Sequence, residues 1–373
     1  MSWEQFRAHF PVTRHWAFFD HAAVAPLPMP AVNALHEYAN ELAGNGAAVS
    51  ARWTGRVKEV RGLAARLLNA DLAEIAFISS TSAGISLVAE GFPWQHGDNV
   101  VIAAEEYPAN QYPWMNQALR GVEVRSVQSR GNRIAIDDLR AAIDSRTRIV
   151  SLSFVEFSSG FRNDLDAIGN LCRERGVYFF VDAIQGLGVL PLDVRKAPID
   201  FLAADSHKWL LGPEGAGLFW IHRDLIDLLH PVGVGWNSVV DCYNFSTIDF
   251  RLKPSAERWE GGSPNFAGIH AMGASLDLLL AVSVPVLEAR VMELTDYLCD
   301  RATSAGFEVF SSREAGERSG IVSLTTPGRD PAALKRRCRE CGVIVNHRNG
   351  RLRLSPHAYN TTEEIDRFLD VVK

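Results

Sequence analysis

The 373-residue sequence predicts an α/β fold built on a mainly parallel sheet of seven strands. Two observations carry this expectation. From residue 51 onward, short and nearly continuous apolar runs alternate with segments of helical period, the pattern of strands buried on both faces by helices. Beyond "RWEGGSPN", residues 258 to 265, the rhythm changes to a long helical pattern followed by short strands and helices, which predicts a smaller α+β unit.

Taken in order, "RVKEVRGLAARLL" places Val57, Val60, Ala64 and Leu67 on one helical face. Strands follow at "EIAFIS", "NVVIAA", "VEVRSV", "RIVSLSFV", "VYFFVDA", "DFLAAD" and "GLFWIH", with helices such as "NDLDAIGNLCRER" between them. One long helix is expected from near Gly268 past Tyr297. After it come strand "GIVSLTT", helix "PAALKRRCREC", strands "VIVN" and "RLRLS", and a last helix "TEEIDRFLDVV". The expected division is an N-terminal segment, 1–20, packing near the small domain, a large domain over 21–260 and a small C-terminal domain over 261–373.

A formal net charge of −6 leaves no electrostatic footprint for nucleic acid or an anionic membrane, so a small-molecule partner is expected. Five scattered cysteines do not form a secreted disulfide framework. Cys338 and Cys341 make a CxxC with no second pair for zinc, and no metal site is expected. The N-terminus lacks a signal peptide's apolar run, and "LDLLLAVSVPVL" is broken by Asp277 and Pro285 and too short to span a bilayer. A soluble, cytoplasmic protein is expected.

In a parallel sheet, ligands collect beyond the carboxyl ends of the strands. Thr81 and Ser82 follow "EIAFIS" and open a helix, whose free N–H groups suit a phosphate, although a plain helix cap explains them too. Asp182 and Gln185 follow "VYFFV", where a charge is poorly placed for solvation unless it meets a cationic or hydrogen-bonding ligand or caps the next turn. In "DSHKWLLGPEGAG", Lys208 stands among apolar residues, Ser206 and His207 can bond an anion, and Gly212, Gly215 and Gly217 allow close approach of backbone to a ligand. An anion site, a buried carboxylate and a buried amine together suit a phosphorylated, nitrogen-containing aldehyde, pyridoxal 5'-phosphate (PLP).

Over nearly its whole length the chain resembles the class V aminotransferase and cysteine desulfurase superfamily of fold type I PLP enzymes. "FFDHAAVAPLP", "STSAGIS", "VDAIQ", "DSHKWLLGPEGAG", "EGGSPN" and "RLRLSPHAYNTTEEID" carry the likeness in order. The resemblance implies Lys208 as the lysine that holds the cofactor and later carries the Cα proton, Asp182 on the pyridine nitrogen and Gln185 on the ring oxygen. It implies Thr81, Ser82, Ser206 and His207 on the phosphate, Ser263 completing that site in a neighbouring subunit of a homodimer, and Arg353 on the substrate carboxylate.

Departures from the family pattern bear on the reaction. Tyr107 stands where many desulfurases stack a histidine on the ring, and a phenol is a far weaker acid than imidazolium. Phe157 replaces an asparagine near the ring oxygen, and no cysteine lies between Cys341 and Arg353, where desulfurases carry their nucleophile. These features look more like the aminotransferase or isopenicillin N epimerase-like branch. Transaminase-like chemistry on an amino acid is therefore expected first, with epimerisation or β-elimination at a C–S bond as alternatives. His21, His347, Arg348, Asn349 and His357 are the candidate substrate contacts that sequence leaves unoriented, His21 first among them. A dinucleotide-binding oxidoreductase lacks its G-x-G-x-x-G, and a silent scaffold has no need of Lys208, Asp182 and Arg353 together.

Overall fold

The computed structural model describes residues Met1–Lys373. Thirteen strands, numbered along the chain, are β1 Ala17–Phe18, β2 Ile75–Ile78, β3 Asn99–Ala103, β4 Glu123–Val127, β5 Thr147–Ser153, β6 Tyr178–Asp182, β7 Phe201–Asp205, β8 Gly217–Ile221, β9 Glu308–Val309, β10 Val322–Thr325, β11 Val343–Ile344, β12 Asn346–Arg348 and β13 Arg351–Leu354. The α-helices are α1 Trp3–Arg7, α2 Met29–Asn45, α3 Ser50–Leu68, α4 Thr81–Gly91, α5 Tyr112–Met115, α6 Ile136–Ala142, α7 Leu165–Arg175, α8 Phe266–Val282, α9 Val284–Ser304, α10 Pro331–Glu340 and α11 Thr362–Val372.

The expected seven-stranded sheet is present in the order β2-β8-β7-β6-β5-β3-β4, and only β8 runs against its neighbours. Strand alternation divides the core. Val101, Ala103, Val150 and Leu152 face the side covered by α3, α7 and α8, while Val100, Ile102 and Ile149 face α4 and Trp114. Helix α4 lies close on the sheet because residue 84 is glycine, where a Cβ would stand 2.6 Å from that of Ala203. A second core, including Leu298, Phe307, Leu324, Leu352 and Phe368, supports the four-stranded sheet β12-β13-β10-β9.

Two expected elements differ. The single long helix from Gly268 is two helices, α8 and α9, bent by 80°. Ser283 takes φ +78° between them, and Pro285 enters the first turn of α9, where its missing N–H costs no helical bond. Helix α8 packs against α2 and α3 and contributes Met272 and Leu276 to the main core, whereas Leu294 and Leu298 of α9 belong to the second core. The strand expected at "VIVN" also splits: β11 pairs with β1, and β12 pairs with β13. The N-terminal segment accordingly touches both bodies, with Phe6 and Phe10 in the main core and Arg7 bonded to Glu364 at 2.7 Å. No single helix is long and apolar enough to cross a membrane.

Candidate active site

The carboxyl ends of β2, β3, β5, β6 and β7 converge on a cavity of about 330 Å³. Its lining includes Thr81, Ser82, Tyr107, Phe157, Asp182, Gln185, His207, Lys208 and Arg353, nine residues singled out by sequence. A larger cleft of about 950 Å³, around Arg133, Arg162 and Leu165, holds none of them.

Lys208 is carried by the turn after β7. Leu211, buried and at φ +59°, bonds its N–H to Lys208 O, and Ser275 of α8 donates to Leu211 O at 2.7 Å. A left-handed leucine is costly, so α8 holds this turn in a conformation the loop alone would not prefer. The lysine is 8% exposed and forms no ion pair; its Nζ lies 5.5 Å from the centroid of the Tyr107 ring. Burial lowers its pKa to about 8, with Arg353 and Arg348 acting in the same direction and Asp182 and Asp205 against it.

Asp182 ends β6, 2% exposed, with Oδ1 accepting from Ile184 N at 3.1 Å. Burial raises its pKa to about 6, opposed by that bond and by Lys208. At another edge of the cavity, Ser80 caps α4 through Ala83 N at 3.1 Å, and the N–H groups of the first turn have no intrahelical acceptors. Thr81 Oγ1 accepts from Asp205 N at 2.9 Å and keeps its own proton to donate, while the Ser82 hydroxyl is exposed. His207 Nδ1 stands 3.0 Å from Asp205 Oδ2, at an angle too oblique for a hydrogen bond.

Gln185 is fixed at both ends, donating to Ala22 O at 3.0 Å and accepting from Trp209 Nε1 at 3.1 Å, which leaves one amide proton free toward the cavity. Tyr107 and Phe157 form an edge-to-face pair at 5.2 Å. Arg353, on β13, is 1% exposed; it donates to Phe157 O at 2.8 Å and meets Asp20 Oδ1 at 3.3 Å. Burial lowers its pKa first, against the opposing pull of Asp20.

Several expectations need correction. Ser206 does not face the cavity: its Oγ donates to Pro213 O at 2.7 Å, closing the turn on itself. His21 is fully buried beside Trp209, its ring nitrogens 3.0 Å from Ser355 O and 2.9 Å from the Tyr359 hydroxyl, and burial lowers its pKa to about 4, so it is a neutral packing residue. His357 is likewise buried, against Phe6 and His21. Gly212, Gly215 and Gly217 line no part of the cavity; a Cβ at residue 217 would meet Ala204 O at 2.7 Å, so that glycine lets β8 approach β7. Ser263 is not among these: expected in the site of a neighbouring subunit, it is exposed and lies outside the cavity of its own chain.

Sequence reasoning missed Glu214 and the segment Ala22 to Val24, which also line the cavity, and left Arg348, another lining residue, unoriented. The motif "FFDHAAVAPLP" carried the signal for that segment, but its place at the site shows only in the fold, through the bridge of Asp20 to Ser355 and the bonds of Ala22 O to Gln185 and of Ala25 N to His207 O.

The donor set fits PLP. A buried amine without an ion pair answers an aldehyde, a buried carboxyl whose pKa is raised answers a ring nitrogen, and a free helix N-terminus answers a phosphate. Fold and site together define a PLP-dependent enzyme of fold type I. The chain belongs to the class V aminotransferase family: the sequence model described as Aminotransferase class-V matches residues 17–368. It is 30% identical to a probable cysteine desulfurase of Methanothermobacter thermautotrophicus, covering 98% of this chain and 96% of that one. It is 26% identical to the uncharacterized aminotransferase YcbU of Bacillus subtilis, over 99% and 97%. The apo structure of a cysteine desulfurase from Thermococcus onnurineus NA1 superimposes with a TM-score of 0.90 at 25% identity, covering 99% of this chain and 96% of that one.

Proposed function

We propose that the protein acts at the Cα of an amino acid, transferring its amino group, with Lys208 as the base that takes the Cα proton. The observation that supports this most is Lys208 itself, buried, without an ion pair, and with its pKa lowered to about 8, close to the range in which a lysine works as a base near neutrality. When bound, PLP supplies the sink for the electron pair left on Cα.

The chain's own residues divide the remaining work. Asp182 keeps a proton on the ring nitrogen, an acceptor role that its burial concentrates. Thr81, Ser82 and His207 hold the phosphate with the amides of α4, and Ser263 of a second copy completes that site in a homodimer. Arg353 takes the substrate carboxylate, its guanidinium oriented in advance by Phe157 O and Asp20. Tyr107 and Phe157 wall the cavity.

A second reading, β-elimination at a C–S bond, is favoured by the relatives named cysteine desulfurase. In that reading sulfur leaves on a small molecule, because no cysteine lines the cavity. A screen of amino acids in deuterated water by mass spectrometry separates the readings. Transfer gives the keto acid, elimination gives sulfide or persulfide, and epimerisation gives deuterium at Cα with loss of chirality. Absence of Cα exchange with every amino acid would overturn both.

A further inference from the structure

The hairpin β12-β13 presents more positive charge than binding one carboxylate requires. Its register sets Asn346 opposite Arg353 and Arg348 opposite Arg351, so these four side chains share one face. The turn between them, Asn349 and Gly350 at φ +48° and +73°, is the two-residue type that favours this twist.

Three of the four are already engaged. Arg353 meets Asp20, Asn346 donates to Asp20 Oδ2 at 2.8 Å, and Arg351 lies 3.7 Å over the Phe310 ring. Arg348 differs. It is half-buried, lines the cavity beside Arg353, and forms no ion pair; only its Nη1 is bonded, to Asn346 Oδ1 at 3.1 Å and His347 O at 3.0 Å. Its charge acts on both Lys208 and Arg353, lowering their pKa values, so it is close enough to bear on a bound substrate. Nε and Nη2 retain donors in the planar fork that suits a carboxylate. Glu214, a further charged lining residue without an ion pair, is exposed and belongs to the turn after Lys208.

We propose that the substrate is an α-amino acid carrying a second carboxylate on its side chain, with Arg353 taking the first and Arg348 the second. The inference rests on the amino-acid reading of the cavity given above. A neutral side chain would leave the free Nε and Nη2 donors of Arg348 without a carboxylate, whereas a dicarboxylate supplies one to each arginine.

The test uses two measurements. Calorimetry on the cofactor-free protein compares glutarate with butyrate, and absorbance titration of the PLP-loaded protein compares aspartate, glutamate and 2-aminoadipate with asparagine and glutamine. The dicarboxylates are expected to bind on the order of ten- to a hundredfold more tightly, the range for a charge-assisted bond. Arg348→Gln should abolish that preference, and Arg348→Lys should restore part of it. A wild-type protein indifferent to the second carboxylate, or an Arg348→Gln protein that keeps the full preference, overturns the proposal. Cofactor uptake, read separately as visible absorbance, distinguishes the two levels: a protein that takes up no PLP defeats the cofactor reading, while normal uptake without the preference defeats only the role of Arg348.

Discussion

Asp20 and Arg353 meet at 3.3 Å although 333 residues separate them, and this pair ties the N-terminal segment to β13 at the wall of the cavity. Both partners are buried, so each is costly without the other. Asp20→Ala should therefore destabilise the protein by about 3 kcal/mol in urea unfolding. Asp20→Asn, which keeps an acceptor for Arg353, should lose less. Equal losses in the two variants would mean that Arg353 does not depend on that acceptor.

Asp182 predicts a pH dependence of stability in the cofactor-free protein. Its folded-state pKa, about 6, lies above the ordinary 3.8, so the folded chain binds more protons than the unfolded one between those values. Its contribution to stability is present below pH 3.8 and lost as pH rises through about 6. Asp182→Asn should match the parent near pH 3.5 and exceed it by roughly 3 kcal/mol above pH 6.5. Parallel stability curves for the two proteins across this window would contradict the assignment.

Lys208 predicts the pH profile of cofactor uptake. The neutral amine is the nucleophile, and burial brings its pKa to about 8 from the ordinary 10.5. The uptake rate, followed by visible absorbance, should rise with pH and level off above about 8. A midpoint near 10 would show an amine that the cavity does not perturb. Lys208→Ala should remove the slow covalent phase and reduce Cα proton exchange by about a hundredfold or more.

Six strands of the main sheet were legible because each is largely buried on both faces and reads as a nearly unbroken apolar run, and the edge strand β4, half-exposed, was legible from its alternation of Val with polar residues. The break at Ser283 was not, because the apolar pattern continues through it and only Pro285 hints at a second start. Of the candidate site, Lys208, Asp182 and Thr81 were readable from their places after strands. Ser206 and His21 misled for one physical reason: a polar side chain beside a site can satisfy itself internally, as Ser206 does on Pro213 O and His21 on Ser355 O. Asp20 and Arg348 became meaningful only once the hairpin and the N-terminal segment were folded together.

The cysteines give the last prediction. Cys172, Cys299 and Cys338 are buried, and burial pushes their thiols up to about 12, about 11 and about 12, so none supplies a thiolate near neutrality. Cys341 is exposed, but it caps the C-terminal end of α10 and does not line the cavity. If the protein releases sulfur from an amino acid, Cys341→Ser should do so at an unchanged rate, and no protein-bound persulfide should be trapped by alkylation. Loss of sulfide release in Cys341→Ser, with cofactor uptake intact, would place a protein thiol in the reaction and require the β11-β12 segment to move toward Lys208. Retention of release would assign the sulfur to a diffusible product, the outcome that a cavity without cysteine demands.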